Sequence, residues 1–377
     1  MQDPTAPIRK TALVLQGGGA RGAYQIGALK AVAEIARNQK SPFQIVCGSS
    51  VGAINAAPFA ASSNDIQQGI RHLEKLWRSL DCGAIYDTRM LTLLGTGARW
   101  VLTLLFGQFG FGAPCALLDN APLGRLLERE FDRRYIAAAI RSGALHALCI
   151  TASSYDEGKA ITFFEGGEDL RDWDRARRRG ERAEIGPPHL LASSALPFAF
   201  APVQIENRFL GDGSLRLTAP LSPAIHSGAD RIMVIAACDN RPDQALSSPK
   251  PPTFGEMAGH ALDILFNDNL DADHERLTRI NHTLSLLTGK AGTKTPLRTI
   301  ETLMLSPSED LRVIARRFQH ELPRAIRLLM RSLGSWGSDG RLVSYLLFES
   351  GYIGALIDLG YGDTMARADE IRDFLEC

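Results

Sequence analysis

The chain has 377 residues, long enough for one large domain or two ordinary ones, and 45% of it is hydrophobic, ample for an independent core. Lys plus Arg (42) balances Asp plus Glu (42), so no global field draws it to nucleic acid or acidic lipid, and any such attraction has to be local. Its cysteines, Cys47, Cys82, Cys115, Cys149, Cys238 and Cys377, form no CxxC pair and have no histidine at metal-ligand spacing; they read as reduced thiols, and neither a metal nor another cofactor is expected.

Residues 1–10, MQDPTAPIRK, read as a polar tail, and the apolar TALVL behind them is too short for a signal-peptide core. Residues 11–16 are β-branched and aliphatic and stop at glycines, which predicts a buried parallel strand. Residues 20–36 carry Tyr24, Ile26, Leu29, Val32 and Ile35 near helical spacing and predict a helix. A second strand over 43–48 and an alanine-rich helix over 51–61 complete a βαβα opening. Helices are predicted at 66–79, with Trp77 in the apolar stripe, and at 123–131. The greasiest run, 100–106, falls far below the roughly 20 residues that span a bilayer, so a soluble, cytoplasmic protein is expected, with peripheral membrane contact left open.

Strand patterns follow at 144–152 and 159–167, then a charged stretch at 171–184 that reads as a solvated loop or helix. Residues 203–214 have the alternation and turn residues of a hairpin, and 231–239 read as another buried strand. A proline cluster at 247–255 marks a boundary. Beyond it the pattern is mainly helical (257–287, 307–333, then short helices to Cys377), interrupted by one strand-like segment at 297–305. The expected fold class is α/β, a mostly parallel sheet flanked by helices, with a mainly helical C-terminal extension. The expected division is a tail (1–10), an α/β catalytic domain (11–246), a Pro-rich linker (247–255) and a helical region (256–377).

Between the first strand and helix stands LQGGGARGAYQIGAL, residues 15–29, with Gly17, Gly19 and Gly22 in GxGxxG spacing. A glycine turn feeding a helix presents unpaired amides to an anion, whether a dinucleotide or another negative charge. A dinucleotide needs an acid at the end of the second strand for the ribose. That strand ends instead in GSSVG, residues 48–52, and the nearest acid, Glu34, lies within the first helix. Gly48, Ser50 and Gly52 form GxSxG between a predicted strand and a predicted helix, the setting of a nucleophile elbow. In a parallel sheet the amides of Gly17, Gly18 and Gly19 then face Ser50 as an oxyanion hole. A base is harder to find. Among His72, His146, His189, His226, His260, His274, His282 and His320 none sits in a recognisable turn, His226 being the best placed. Asp212, in the glycine-flanked turn GDGS, is the stronger candidate, although a purely structural aspartate is common in such turns.

GGGxRG at 17–22, GxSxG about thirty residues on, ASSALPFAFAPV at 192–203 and the Asp212-Gly213 turn together resemble the patatin-like phospholipase family. The resemblance covers roughly residues 11–230 and implies a three-layer α/β domain with Ser50 as nucleophile and Asp212 as base. It implies a dyad without histidine, an oxyanion hole at Gly17, Gly18 and Gly19, and Arg21 and Gly22 as supports of that loop. The turn reads DGS where DGG or DGA is more usual, and the extension beyond Gly255 lies outside the minimal domain. The implied activity is lipid acyl hydrolysis of phospholipase A or lysophospholipase type, with a lipid ester as partner and no nucleic acid. A catalytically weak scaffold that binds lipid or a protein through the helical region, and a transacylase, are the alternatives. Two local features bear on lipid contact. Residues 99–114 read either as a flap meeting a lipid aggregate or as core helix and loop, and Arg175, Arg177, Arg178, Arg179 and Arg182 read either as a headgroup site or as a solvated face. Trp336 and Tyr345 are candidate hydrophobic anchors of the extension.

Overall fold

The computed structural model describes residues 9–106, 116–238, 251–287, 295 and 297–376. Its strands are β1 (Thr11–Leu15), β2 (Ile45–Ser49), β3 (Ala147–Ser154), β4 (Ala160–Gly166), β5 (Trp173–Arg175), β6 (Arg178–Arg182), β7 (Val203–Ile205), β8 (Arg208–Gly211), β9 (Arg231–Ile235) and β10 (Glu301–Leu305). They join in one sheet in the order β10-β9-β1-β2-β3-β4-β6-β5, and the hairpin β7-β8 is attached to β3 through β8. The run from β10 to β3 is parallel. Every residue of β1, β2, β3 and β9 is buried, which is why these strands read as continuous apolar runs and not as alternation.

The chain winds from β1 through β2 to β3 on one side, then returns to place β9 and β10 on the other. Such a reversal opens a crevice at the carboxyl ends of the central strands. One face of the sheet, with Leu13, Leu15 and Val46, packs against α1 (Ala23–Ala36) and α2 (Val51–Ala61). The other face, with Ala12, Val14, Ile45 and Cys47, packs against Leu221, Ala224, Leu270 and Leu277. Cys47, Cys82 and Cys149 are buried free thiols, and Cys238 is buried beside Arg21.

The charged stretch 171–184 is neither loop nor helix but the hairpin β5-β6, with β6 parallel to β4. Three contacts hold it. The Trp173 ring stacks on His226 at 4.2 Å, Gly180 lies so close under that indole that a Cβ there would overlap it, and Arg179 and Arg208 pair with Glu157 and Glu181. Of the arginines in this stretch Arg179 is ion-paired at the sheet edge, Arg178 donates to Ser222 Oγ and Arg182 to the carbonyls of Gly166, Gly167 and Leu170, while Arg175 and Arg177 are exposed. Residues 99–106 belong to the helix Met90–Phe106; 107–114 lie outside the described residues.

The segment after 255 is built into the same body. β10 extends the parallel sheet beside β9, and the helix Ser350–Met365 packs along α1 at glycine contacts, where a Cβ on Gly27 or Gly360 would overlap a carbonyl oxygen of the facing helix. The helical pattern at 257–287 divides at a π-turn, Ile264–Asp268, and that at 307–333 divides at Pro323, which cannot continue a helix. No helix of the described residues is long and apolar enough to cross a membrane.

Candidate active site

Between β2 and α2 there is a single residue, Ser50, with φ 54 and ψ −131, a conformation that side-chain-bearing residues rarely adopt. Glycines make the turn possible: a Cβ on Gly48 would overlap the Gly52 carbonyl, and one on Gly52 the carbonyl of Leu15. The Ser50 amide donates to Ser193 Oγ at 3.0 Å, and that hydroxyl donates to the Thr151 carbonyl at 2.6 Å. Ser193, at the end of the helix Pro187–Ser193, thus ties the elbow to β3. Sequence reasoning did not single it out, although it stands in ASSAL, inside the segment that carried the resemblance.

Asp212 arrives by another route. β8 pairs antiparallel with the end of β3, Gly211 opposite Ser153, while Thr151 of β3 is opposite Ser49 of β2. Register alone therefore sets the residue after β8 beside the residue after β2. Ser50 Oγ donates to Asp212 Oδ2 at 2.6 Å, and the Ser214 amide donates to Oδ1 at 2.9 Å. Gly213 packs so closely on the Thr151 carbonyl that a Cβ would overlap it. Asp212 is fully buried, and burial pushes its pKa from 3.8 up to about 6, against the opposing effect of the hydrogen bonds from Ser50 and Ser214. His226 is held elsewhere, stacked on Trp173, its pKa lowered to about 4 by burial and by Arg175 and Arg178.

The glycine loop follows β1 and enters α1 through a short 3-10 turn, Gly19–Gly22. Gly19 has φ 57 and lines a cavity together with Ser50 and Asp212. Gly17 packs against Ser214 and Phe266, Gly18 against Ala237, and Gly22 against Val51 of α2. Among the described residues no acceptor takes the amides of Gly17, Gly18 or Gly19. A chain of buried amides fixes the loop from below: Trp77 Nε1 donates to Asn55 (2.9 Å), Asn55 to Gln25 (2.9 Å), and Gln25 to the Gln16 carbonyl (2.7 Å).

Arg21 is not among the residues that line the cavity with Ser50. It is buried, donates to Ser344 Oγ, Cys238 Sγ, Asp263 and Tyr345 OH, and its guanidinium lies 3.8 Å from the centroid of the Tyr345 ring. Tyr345 is therefore a buried partner of the loop, not an exposed anchor, while Trp336 lies under Arg331.

The cavity is about 670 Å³ and mostly apolar. Beyond Ser50 its wall includes Ile54, Leu73, Trp77, Leu123 and Leu127, and the region after 255 adds Phe266, Tyr345, Leu346 and Phe348. Among the described residues no group of three or more His, Cys, Asp or Glu is placed to hold a metal ion.

A buried serine on a strand-to-helix elbow, bonded to an aspartate and facing a glycine loop, defines a site of nucleophilic type. The sequence model of the patatin-like phospholipase family matches residues 13–225, and the chain belongs to that family. A search among curated proteins returns no match. Among solved structures, human GIVD cytosolic phospholipase A2 is similar at 11% identity and a TM-score of 0.45, over 98% of this chain and 60% of that one. VipD from Legionella pneumophila is similar at 13% identity and a TM-score of 0.35, over 97% and 67%. The type III effector protein ExoU is similar at 16% identity and a TM-score of 0.30, over 90% and 78%. This chain thus spans about 60% of the length of the human phospholipase it matches.

Proposed function

We propose that this protein is a serine lipid acyl hydrolase working through a Ser50–Asp212 dyad. The observation that carries the reading is the 2.6 Å hydrogen bond from Ser50 Oγ to a buried Asp212 carboxylate at the floor of an apolar cavity. With its pKa pushed up to about 6, Asp212 is a better base than an ordinary carboxylate and is still ionised at neutral pH. It takes the Ser50 proton as Oγ attacks the ester carbonyl. The tetrahedral oxyanion is received by the unpaired amides of the Gly17–Gly19 turn, where one donor is typically worth about 3 kcal/mol. Collapse releases the alcohol, which takes the proton from Asp212, and leaves an acyl-enzyme. Water, deprotonated by the same carboxylate, frees the fatty acid. Gly48 and Gly52 shape the elbow, and Gly22 and Arg21 hold the loop. The positive end of α2 favours the alkoxide as it develops.

The test is turnover of a medium-chain p-nitrophenyl ester and labelling by a fluorophosphonate, for wild type, Ser50→Ala and Asp212→Ala. The expected result is turnover and labelling in the wild type, both lost in Ser50→Ala, with turnover also lost in Asp212→Ala. Folded wild type that neither turns over nor labels, with detergent or vesicles present, would leave the lipid- or partner-binding scaffold as the better reading.

A further inference from the structure

The cavity has a direction and a length, and on the acyl-hydrolase reading these select the acyl chain. Along α2 its lining residues are Val51, Ile54, Pro58 and Ala61, one face of the helix from its first residue to its last. The helix α3 (Ile66–Arg78) runs back alongside: Trp77, near its end, bonds Asn55 near the start of α2, while Gln68, near its start, lines the cavity with Ser62 and Asn64. At the Ser50 end the wall is buried and apolar, with Trp77, Leu346 and Phe348. At the Ala61 end it becomes polar and opens toward water, where Gln68 and His72 are exposed and His72 Nε2 lies 3.3 Å from Glu130.

From Ser50 to Ala61 the helix rises about 16 Å, at 1.5 Å per residue. An extended alkyl chain advances about 1.3 Å per carbon, given a C–C bond of about 1.5 Å. The apolar length therefore holds about twelve carbons. We propose that α2 is an acyl-chain ruler: the carbonyl sits at Ser50, the chain lies along Ile54, Pro58 and Ala61, and carbons beyond about the twelfth emerge among polar groups. The preferred substrates are esters of straight acyl chains of about twelve carbons or more, and preference stops rising at that length because further methylenes return to water.

The experiment is kcat/KM for p-nitrophenyl esters from C4 to C16, each below its aggregation concentration, with active sites counted by fluorophosphonate labelling. In the wild type kcat/KM should rise by up to about fourfold per methylene, the value of burying one CH2, and level off near C12. Ile54→Phe, about 6 Å along the helix from Ser50, should move the break to about C5. Ala61→Trp, at the far end, should lower the C12:C6 ratio by tenfold or more and leave the break near C10. Pro58→Phe, about 12 Å along, should place it near C9 and serves if Ala61→Trp does not fold. A flat wild-type profile, or a break that none of the folded variants moves, overturns the ruler while leaving the hydrolase standing. Absence of both turnover and labelling overturns the hydrolase reading itself.

Discussion

Replacing Asp212 by Asn should stabilise the protein while disabling it. The carboxyl is fully buried and its pKa is pushed from 3.8 to about 6. That shift of about two units is worth ~3 kcal/mol at 1.36 kcal/mol per unit. The sign follows from proton binding. Between pH 3.8 and about 6 the folded state keeps a proton that the unfolded chain has lost, so stability contributed by the protonated carboxyl is full below pH 3.8 and is lost as pH rises through about 6. An asparagine carries no such cost, and it fits: its oxygen can accept from the Ser214 amide and its NH2 can donate to Ser50 Oγ. Urea denaturation should show Asp212→Asn more stable than wild type by ~3 kcal/mol at pH 7.5, narrowing to ~1 kcal/mol at pH 4.5. Turnover should fall by about 10²–10⁴, the usual worth of a general base. In the wild type, kcat/KM should climb with pH to an apparent pKa of about 6. A variant no more stable than wild type at pH 7.5, or equally favoured at both pH values, would refute the claim that burial sets the pKa of this carboxylate.

Two further substitutions separate the elbow's strain from its hydrogen bonds. Ser50→Gly and Ser50→Ala both remove the hydroxyl, but only glycine relaxes the backbone at φ 54. Strain of about 1–3 kcal/mol less a glycine entropy cost of about 0.5–1 leaves Ser50→Gly more stable than Ser50→Ala by ~1 kcal/mol; a Ser50→Gly less stable than Ser50→Ala by about 0.5–1 kcal/mol would show that the turn is unstrained. Ser193→Ala strands the Ser50 amide and the Thr151 carbonyl and should cost ~1–3 kcal/mol in urea, with kcat falling more than KM rises. Ser194→Ala, whose hydroxyl bonds only carbonyls of its own helix, is the control and should cost distinctly less.

Ser50 and Asp212 were legible because each sits in a local device, a one-residue elbow and an Asp-Gly turn, whose glycines are dictated by backbone contacts a few ångströms away. The βαβα opening was legible because fully buried strands leave no alternation to misread. The hairpin β5-β6 was not. Its sequence is almost all charge, and what makes it a strand pair is tertiary: a partner strand β4, Glu181 on β6 and Glu157 in the turn at 155–157, and the His226 ring under Trp173. The part played by Ser193 was equally hidden, since a helix-terminal serine has many local uses and only the fold puts Ser50 above it. Four cavity residues, Phe266, Tyr345, Leu346 and Phe348, lie more than two hundred positions from Ser50 in patterns that read as helix, with Tyr345 read as a hydrophobic anchor and not as a cavity wall.

Those residues change what the site is physically. The family match ends at 225, yet a wall of the cavity and the partners of Arg21 come from beyond it. Burying a guanidinium costs several kcal/mol unless its donors are met. Here Ser344, Tyr345 and Asp263 meet them, from two separate helices of the later segment and with Cys238 as a fourth acceptor. Phe266 adds a carbonyl to Gln16 and its ring to Gly17, through the π-turn that breaks the helix at that point. The conformation of the glycine loop is therefore over-determined from both sides, by the amide chain from Trp77 through Gln25 and by the Arg21 cluster. On the proposed mechanism these unpaired amides receive the oxyanion, which needs a loop with no alternative place to put them, and the later segment removes the alternatives.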